Sequence, residues 1–362
     1  DLTMLDHRAR VLWWAVKRRI ELDQPKIIAV TGSIAKTSTK QAIGTVLKKH
    51  FPGKVRVGVG NLNTFLGVPL SILGFKLDFH HRQISRQWVL VLVNAVIKSL
   101  FVKLPHYLVL EFGADRPGDI KAIVAKLQLD VAIITITGNA HLENYQSVEE
   151  IAIEKASILT GLKPDGLAIV NKSDPFLKLF KTTVQKIEVE TELEDLSLNF
   201  ARTLAKTWQL DKDLTEEALS TLARPEGRMQ LHDLGNIKLL DDSYNASPLS
   251  ITAALNVLSK LPGRRVAILG DMLELGIESD QSNSQIGELD KKQAELCIGV
   301  GEQARKYNFK HHFVDSKTAI NEILSLIQNG DSILVKGSRG VKMEVIVKAI
   351  NNQYNKRRDG VF

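Results

Sequence analysis

The chain has 362 residues, of which 44% are hydrophobic and 25% charged, so it is long enough to form two globular domains of ordinary size. Its net charge of +7 favours anionic partners such as nucleotides, sugar phosphates or lipid headgroups, whereas the absence of zinc-finger spacing and of a basic stripe interleaved with aromatics argues against nucleic-acid binding. Cys297 is the only cysteine, which excludes an internal disulfide and a thiolate zinc site.

The predicted elements alternate between strands and helices along most of the chain. Residues 1–24 predict an amphipathic helix that carries Trp13 and Trp14, and it does not resemble a cleavable signal, so we expect a cytoplasmic protein. From Pro25 onward, short apolar runs separated by helical patterns predict parallel strands with helices on both faces. The same alternation returns after the segment PEGR at 225–228, which predicts two α/β domains in tandem.

Residues 76–105 interrupt this alternation. Their middle, WVLVLVNAVIKSLFV, is a run of apolar residues broken only by Asn94, Lys98 and Ser99. A membrane-spanning helix needs about 20 apolar residues, so this run is too short to cross a bilayer. Two alternatives stay open: an interfacial or partner-docking helix, and a helix packed on the core of its own domain. The first of these predicts a peripheral membrane contact through 1–24 and 76–105.

The segment AVTGSIAKTSTK at 29–40 has the layout of a phosphate-binding loop. An apolar strand leads into a small-residue turn, and then Lys36 and Thr37 open a helix, where a lysine can reach phosphates and a hydroxyl can bind Mg²⁺. The pattern G-x-x-x-x-G-K-[ST], however, requires glycines where this chain has Val30 and Ala35. Taken alone, the segment is therefore equally compatible with an ordinary strand-to-helix turn.

Several further blocks follow in a fixed order over about 25–350: GNLNTFLGVPL, LVLEFGADRPGDI, AHLEN, IAIEKASI, PEGRM, DDSYNASP and LVKGSRG. In this order they resemble the Mur ligase family, in particular the branch that adds a D-alanyl-D-alanine dipeptide to a UDP-linked muramoyl tripeptide. The family loop reads TG-x-x-GKT, so Val30 is normal and only Ala35 departs. The resemblance implies a P-loop ATPase domain with a mostly parallel sheet at 25–225 and a Rossmann-like ligase domain at 229–362.

The resemblance also implies the chemistry and its residues. Family members use ATP to phosphorylate a substrate carboxylate, and the amine of an amino acid or dipeptide then displaces phosphate from the acyl phosphate. The catalytic residues would be Lys36, Glu111, His141, Lys155 and Arg228. The ligands of two Mg²⁺ ions would include Thr37, Glu111, His141 and Lys155, the last as a lysine carbamylated by CO₂. A salt bridge of Glu111 to a lysine and a solvent-facing Lys155 are the alternatives.

The remaining implied positions contact nucleotide and substrates. The nucleotide would be held by Gly32, Ser33, Ala35, Lys36, Thr37, Ser38, Asn199, Arg228, Asp242, Tyr244 and Asn245. The acyl substrate would face Asn61 and Asn63, and a carboxylate-bearing acceptor would meet Lys336, Ser338 and Arg339.

A second hypothesis stays open because of three departures from the family pattern, at Ala35, at Ile136 and in the adenine motif. The family carries a further domain that grips the uridine nucleotide ahead of the loop, whereas 24 residues precede Pro25 here. The family's HN-x-x-N adenine motif survives only as Asn199, and Ile136 stands where an asparagine is usual. The sequence therefore favours an ATP-dependent carboxylate–amine ligase for peptidoglycan precursors or a related acyl substrate, with a nucleotide-binding regulator or scaffold of cell-wall enzymes as the alternative.

Overall fold

The computed structural model describes residues 2–59, 62–75, 87–138, 142–193, 195–222, 225–273, 275 and 279–359. They form two compact units: unit 1 comprises Asp1–Gly138 and Asn144–Leu222, and unit 2 comprises Ala223–Phe362 together with Asn139–Glu143. The main division follows Leu222, just ahead of PEGR. The exact domain limits drawn from the sequence stay predictions.

Unit 1 is built on a six-stranded sheet in the order β2-β3-β1-β4-β5-β6, in which every neighbouring pair is parallel. Its strands are β1 Lys26–Thr31, β2 Val55–Val57, β3 Tyr107–Glu111, β4 Leu129–Ile134, β5 Leu162–Asn171 and β6 Gln185–Val189. Its helices are α1 Leu2–Asp23, α2 Lys36–His50, α3 Gly67–Ile72, α4 Gln87–Phe101, α5 Asp119–Val124, α6 Val148–Ala156, α7 Leu196–Thr207 and α8 Lys212–Ser220. A parallel sheet covered by helices confirms the predicted fold class.

The register of the central strands decides where the phosphate loop lies. Val30 on β1 stands opposite Glu111 on β3, and Thr31 stands opposite Ile134 on β4. Since parallel strands end at one edge of the sheet, the loop that follows β1 meets the last residue of β3 and the segment after β4. The apolar runs of these strands are almost wholly buried, which fixes this register through the core.

Helices α1 and α4 lie side by side and run in the same direction. At their beginnings the Arg8 guanidinium lies 4.9 Å from the centre of the Trp88 ring, and at their ends the backbone N–H of Leu104 donates to the Asp23 carboxylate at 2.7 Å. Trp13 on α1 also donates its indole N–H to the Phe65 carbonyl at 3.1 Å. One side of α4 thus packs on its own domain, while the other side stays exposed. Among the helices described, none is both long and apolar enough to cross a bilayer.

Unit 2 is a second six-stranded sheet in the order β11-β10-β9-β12-β8-β7. Its strands are β7 Gln230–Asp233, β8 Lys238–Asp242, β9 Arg265–Gly270, β10 Leu296–Val300, β11 His311–Phe313 and β12 Ser332–Lys336, and its helices are α9 Pro248–Ser259, α10 Ser279–Gln293, α11 Ser316–Leu326 and α12 Glu344–Asp359. All neighbouring strands are parallel except β7, which runs antiparallel to β8 at the edge. The Rossmann-like prediction is confirmed apart from this edge strand.

Candidate active site

The loop between β1 and α2 is held against the end of β4. Ser33 donates its backbone N–H to the Ile136 carbonyl at 2.7 Å, and its hydroxyl donates to the Gly138 carbonyl at 2.9 Å. Gly32 has φ 146°, and a Cβ there would lie 1.9 Å from the Thr135 hydroxyl, so no other residue fits without a shift. The loop is therefore a fixed turn that opens a helix, as an anion cradle requires.

Ala35 is the N-cap of α2 and adopts left-handed backbone angles, φ 61° and ψ 4°. An L residue with a Cβ pays about 1 kcal/mol for this conformation, and glycine does not. The family's glycine at this position therefore has a conformational reason.

Replacing Ala35 by glycine is expected to raise the free energy of unfolding by about 1 kcal/mol, because glycine adopts the left-handed turn without that strain. ATP affinity should change little, since the turn is already formed and its strain is common to the free and the bound protein. Urea unfolding and calorimetric titration of a non-hydrolysable ATP analogue measure the two quantities. Ala125→Gly, outside the phosphate loop, is the control and should gain no stability. Unchanged stability of Ala35→Gly would mean that the loop has already adapted to alanine.

Glu111 is the centre of a polar cluster at the end of β3. Its carboxylate accepts a hydrogen bond from the Thr37 hydroxyl at 3.0 Å and one from the Asn63 amide at 3.3 Å. The ammonium of Lys40 lies 3.1 Å from the same carboxylate, and both side chains are buried, at 1% and 6% exposed. A hydroxyl and a carboxylate are oxygen donors of the type that Mg²⁺ prefers, so the cluster fits the proposed metal role.

Lys40 is a site residue that the sequence reasoning missed. The salt bridge of Glu111 to a lysine, left open above, is present in the structure, and it coexists with the contacts to Thr37 and Asn63. Lys40 stands one helical turn after Lys36, and residues four apart share a helix face, so this spacing was the available signal. Lys40 supplies the positive charge that a buried carboxylate needs.

Replacing Lys40 by methionine is expected to destabilise the nucleotide-free protein by about 3 kcal/mol, because the buried Glu111 carboxylate loses its cation. Mg²⁺ with an ATP analogue should then raise the melting temperature of this variant more than that of the wild type. Thermal unfolding with and without the ligands measures both effects. Lys48→Met, an exposed position on the same helix, is the control. Equal ligand-induced shifts in all three proteins would contradict the assignment.

Lys155 is buried on α6, with only 2% of the residue exposed. Its neighbour Glu154 accepts the backbone N–H groups of Gly118 and Ile120, each at 2.6 Å, and so ties α6 to the beginning of α5. Burial first, and then the cation of Lys36, lower the pKa of Lys155 to about 7. The solvent-facing alternative for Lys155 is therefore wrong, and Lys36 and Lys155 are close enough to influence each other's charge.

The other predicted positions of unit 1 stand apart from this cluster or outside the described residues. Lys36 donates to the carbonyls of Gly32 and Ser33 at 2.7 and 3.1 Å, folded back on its own loop, and Ser38 lies in the first turn of α2. Asn199 on α7 uses its amide locally, donating to Thr191 at 2.8 Å and accepting from Arg202 at 3.1 Å. Asn61 and His141 lie outside the described residues.

The predicted residues of unit 2 form one cluster at the ends of β8 and β12. Asp242 and Lys336 are register partners at the two strand ends, and their side chains form a buried ion pair. Lys336 also donates to the Asn245 carbonyl at 2.8 Å, and the backbone N–H of Arg339 donates to the Asn245 side chain at 3.3 Å. The loop after β8 and the loop after β12 are thereby tied together.

Tyr244 brings two arginines into the same cluster. The guanidinium carbons of Arg228 and Arg339 lie 4.1 and 4.9 Å from the centre of its ring, within cation–π distance. Ser338 instead accepts the backbone N–H of Leu273 at 2.9 Å. Lys336 and Ser338 thus make structural contacts, and the exposed Arg339 is the residue of this set best placed for a carboxylate ligand.

Comparison with known proteins decides the family. The sequence profile of the Mur ligase middle domain matches residues 30–236, more than half of the chain. The chain belongs to the Mur ligase family. The profile of the Mur ligase glutamate ligase domain matches residues 227–339, so both Mur domains follow in the order that the sequence predicted.

The chain is also similar to individual Mur ligases in sequence and in structure. The chain is 29% identical to the UDP-N-acetylmuramoyl-tripeptide–D-alanyl-D-alanine ligase of Escherichia coli, over 90% of this chain and 76% of that protein. The Bacillus subtilis ligase of the same name is 28% identical over 89% and 75%. Among solved structures, MurF from Acinetobacter baumannii has a TM-score of 0.79 at 25% identity, over 95% of this chain and 80% of that one. MurF from Thermotoga maritima, solved with ADP, has the same fold, with a TM-score of 0.80 at 22% identity over 96% and 84%.

This Mur ligase is accordingly an ATP-dependent, ADP-forming enzyme that makes amide bonds, and it resembles the ligases named above along nearly its whole length. The regulator or scaffold hypothesis is not favoured. Ala35 and the reduced adenine motif are departures within a Mur ligase.

Proposed function

We propose that this Mur ligase joins the amine of a D-alanyl-D-alanine dipeptide to the terminal carboxylate of a UDP-linked muramoyl tripeptide, in the synthesis of peptidoglycan precursors. The observation that carries the proposal is the cluster of Thr37, Asn63 and Lys40 around Glu111, beside the phosphate loop. The chain that holds this cluster resembles UDP-N-acetylmuramoyl-tripeptide–D-alanyl-D-alanine ligases. A binding module has little use for a buried carboxylate and hydroxyl of this kind.

The reaction has two steps with balanced atoms. A carboxylate oxygen of the acyl substrate attacks the γ-phosphorus of ATP, which releases ADP and leaves an acyl phosphate. The amine then attacks the acyl carbon, a proton leaves the nitrogen, and inorganic phosphate departs. Lys36 would hold the terminal phosphates, and Asn63 would face the acyl substrate. Arg339 in unit 2 would bind the carboxylate of the dipeptide as a bidentate partner.

Mg²⁺ fits the donor set of unit 1. Within the described residues, no three His, Cys, Asp or Glu side chains form a metal-binding group. The ligands that we propose are the Thr37 hydroxyl, the Glu111 carboxylate and a carbamylated Lys155. His141 is expected to join them from outside the described residues. When bound, Mg²⁺ would neutralise phosphate charge during transfer. We place the reaction in the cytoplasm, because it consumes ATP and because one cysteine suits a reducing compartment.

The test of the substrates is ADP release by the purified chain. UDP-N-acetylmuramoyl-tripeptide and D-alanyl-D-alanine together should give ADP and a ligated product identified by mass spectrometry, while omission of either substrate should give neither. Activity with a different acyl donor or amine from a matched panel would correct the substrate. Nucleotide binding without turnover across the panel would support the scaffold hypothesis instead.

A further inference from the structure

The outer face of α4 is apolar along its whole length. Its exposed apolar residues are Val89, Leu90, Val93, Ile97, Leu100 and Phe101, each between 43% and 79% exposed. Asn94 is the one polar residue among the exposed side chains described on this helix. Contiguous exposed apolar residues of this extent mark an interaction surface in a globular protein.

The opposite face of α4 packs on the core of unit 1 and is mostly apolar, although it also carries the buried Ser99 and the partly buried Lys98, whose ammonium donates to the Leu73 carbonyl at 3.2 Å. Trp88 and Ala95 belong to that core, with Val91 and Leu92 packed against it. A helix with apolar residues on two opposite faces is normally covered on both. Half of α4 is covered by its own domain, and a second apolar medium is therefore needed for the other half.

The neighbouring surface of α1 indicates which kind of medium covers the outer face of α4. The exposed residues of α1 include Arg10, Lys17 and Arg18, and Trp14 stands among them with 52% of its surface exposed. Glu21 is also exposed and lies 3.8 Å from Lys17. Since α1 and α4 run side by side on one core, this basic, tryptophan-bearing strip adjoins the apolar face.

An apolar helix face flanked by cations and tryptophan is the signature of a helix that lies in the interface of a membrane. Lys103 follows the apolar face at its far end and is exposed as well. The 15 residues of α4 make a helix about 22 Å long, too short to span a bilayer but suited to lying in its plane.

We propose that the outer face of α4, together with the strip Arg10, Trp14, Lys17 and Arg18 of α1, seats unit 1 on an anionic phospholipid bilayer. The apolar side chains enter the headgroup boundary, and the cations contact lipid phosphates. This proposal does not depend on the proposed substrates, because it rests only on the surface of unit 1.

The test is vesicle flotation with the full chain. The wild type should float with vesicles that contain phosphatidylglycerol, and less with vesicles of phosphatidylcholine alone, with binding that falls as salt rises. Leu90→Asp with Val93→Asp should lower the partition coefficient by about 10-fold or more, since a carboxylate resists transfer into lipid. Val314→Asp, at an equally exposed apolar residue of unit 2, is the matched control and should bind as the wild type does.

Circular dichroism and vesicle-free ADP release should be the same in all three proteins, because each substituted side chain is exposed. Equal flotation of the double variant and the control would overturn the proposal. A second outcome would also overturn it: light scattering shows that the wild type is a dimer and the double variant a monomer, and neither binds vesicles. The outer face of α4 would then bind a second copy of the chain. Loss of ligase activity with flotation retained would refute only the proposed function.

Discussion

Replacing Lys155 by methionine is expected to lower ligase turnover by about 100-fold or more, because the charge-stabilising group that a carbamylated lysine supplies would be lost. The environment of Lys155 supports the modification: its lowered pKa leaves much of the amine neutral near pH 7, and only a neutral amine adds CO₂ to give a carbamate and a proton. The resulting anion would also relieve the repulsion between Lys36 and Lys155.

Two measurements check this expectation. Turnover is compared with that of Lys121→Met, an exposed lysine on α5 that should behave as the wild type does. Labelling with ¹³C-bicarbonate should give a carbamate resonance in the wild type and in the control but none in Lys155→Met. Full activity of Lys155→Met, or the same resonance in all three proteins, would contradict the role assigned to Lys155.

The same substitution is expected to change how stability depends on pH. The pKa of Lys155 is about 7 in the folded protein and 10.5 ordinarily. Between these values the unfolded chain binds about one proton more, so the free energy of unfolding rises with pH, by up to about 1.4 kcal/mol per pH unit. The contribution of Lys155 to the free energy of unfolding is complete above pH 10.5, the pKa in the unfolded chain, and it is lost as the pH falls towards 7.

Urea unfolding of unit 1 in CO₂-free buffer, between neutral pH and pH 10, measures this gradient. As the pH rises, the free energy of unfolding of the wild type should increase relative to that of Lys155→Met. All other titrating groups are shared by the two proteins, so the difference reports Lys155 alone. A difference that stays constant over this range would mean that the pKa of Lys155 is not lowered.

Replacing Lys36 by methionine is expected to lower turnover by about 100- to 1,000-fold, because the other lysine of the segment 29–40, Lys40, is buried against Glu111. The ammonium donates to the Gly32 and Ser33 carbonyls, so it is held over the loop that would receive the phosphates. The loss should appear both in ATP affinity and in turnover.

Lys48→Met on the same helix is the matched control for Lys36→Met. Lys48 is exposed at the far end of α2, so its loss should leave ATP affinity and turnover within two-fold of the wild type. Calorimetric titration of an ATP analogue separates binding from chemistry. Equal ATP affinities and equal turnover in the two variants would exclude Lys36 from the nucleotide site.

The fold was predictable because its central strands are apolar on both faces. The runs KIIAVT and YLVLE are buried almost throughout, and such short continuous apolar runs are typical of strands that are covered on both faces. Two of the edge strands escaped prediction for the opposite reason. Gln185–Val189 and Gln230–Asp233 are short and half polar, so their patterns do not differ from those of loops.

The candidate site was predictable only as a set of positions. Ordered motifs placed Thr37, Glu111 and Lys155 in one site, but no motif showed that Lys40 neutralises Glu111 or that Glu154 fixes α6. Such contacts depend on strand register and on which helix face is buried, which are tertiary properties. For the same reason, the sequence could not show that Lys336 forms a buried ion pair with Asp242, and it predicted a role in acceptor binding for Lys336 instead.

The most direct test of the account is the fate of the oxygen that links acyl substrate and phosphate. The acyl substrate is prepared with ¹⁸O in its terminal carboxylate and is incubated with ATP, Mg²⁺, D-alanyl-D-alanine and the wild-type chain. Activation through an acyl phosphate predicts that one ¹⁸O per turnover appears in the released inorganic phosphate. Ligated product with unlabelled phosphate, or ATP hydrolysis without product, would contradict the central claim that this chain is a Mur-type ligase.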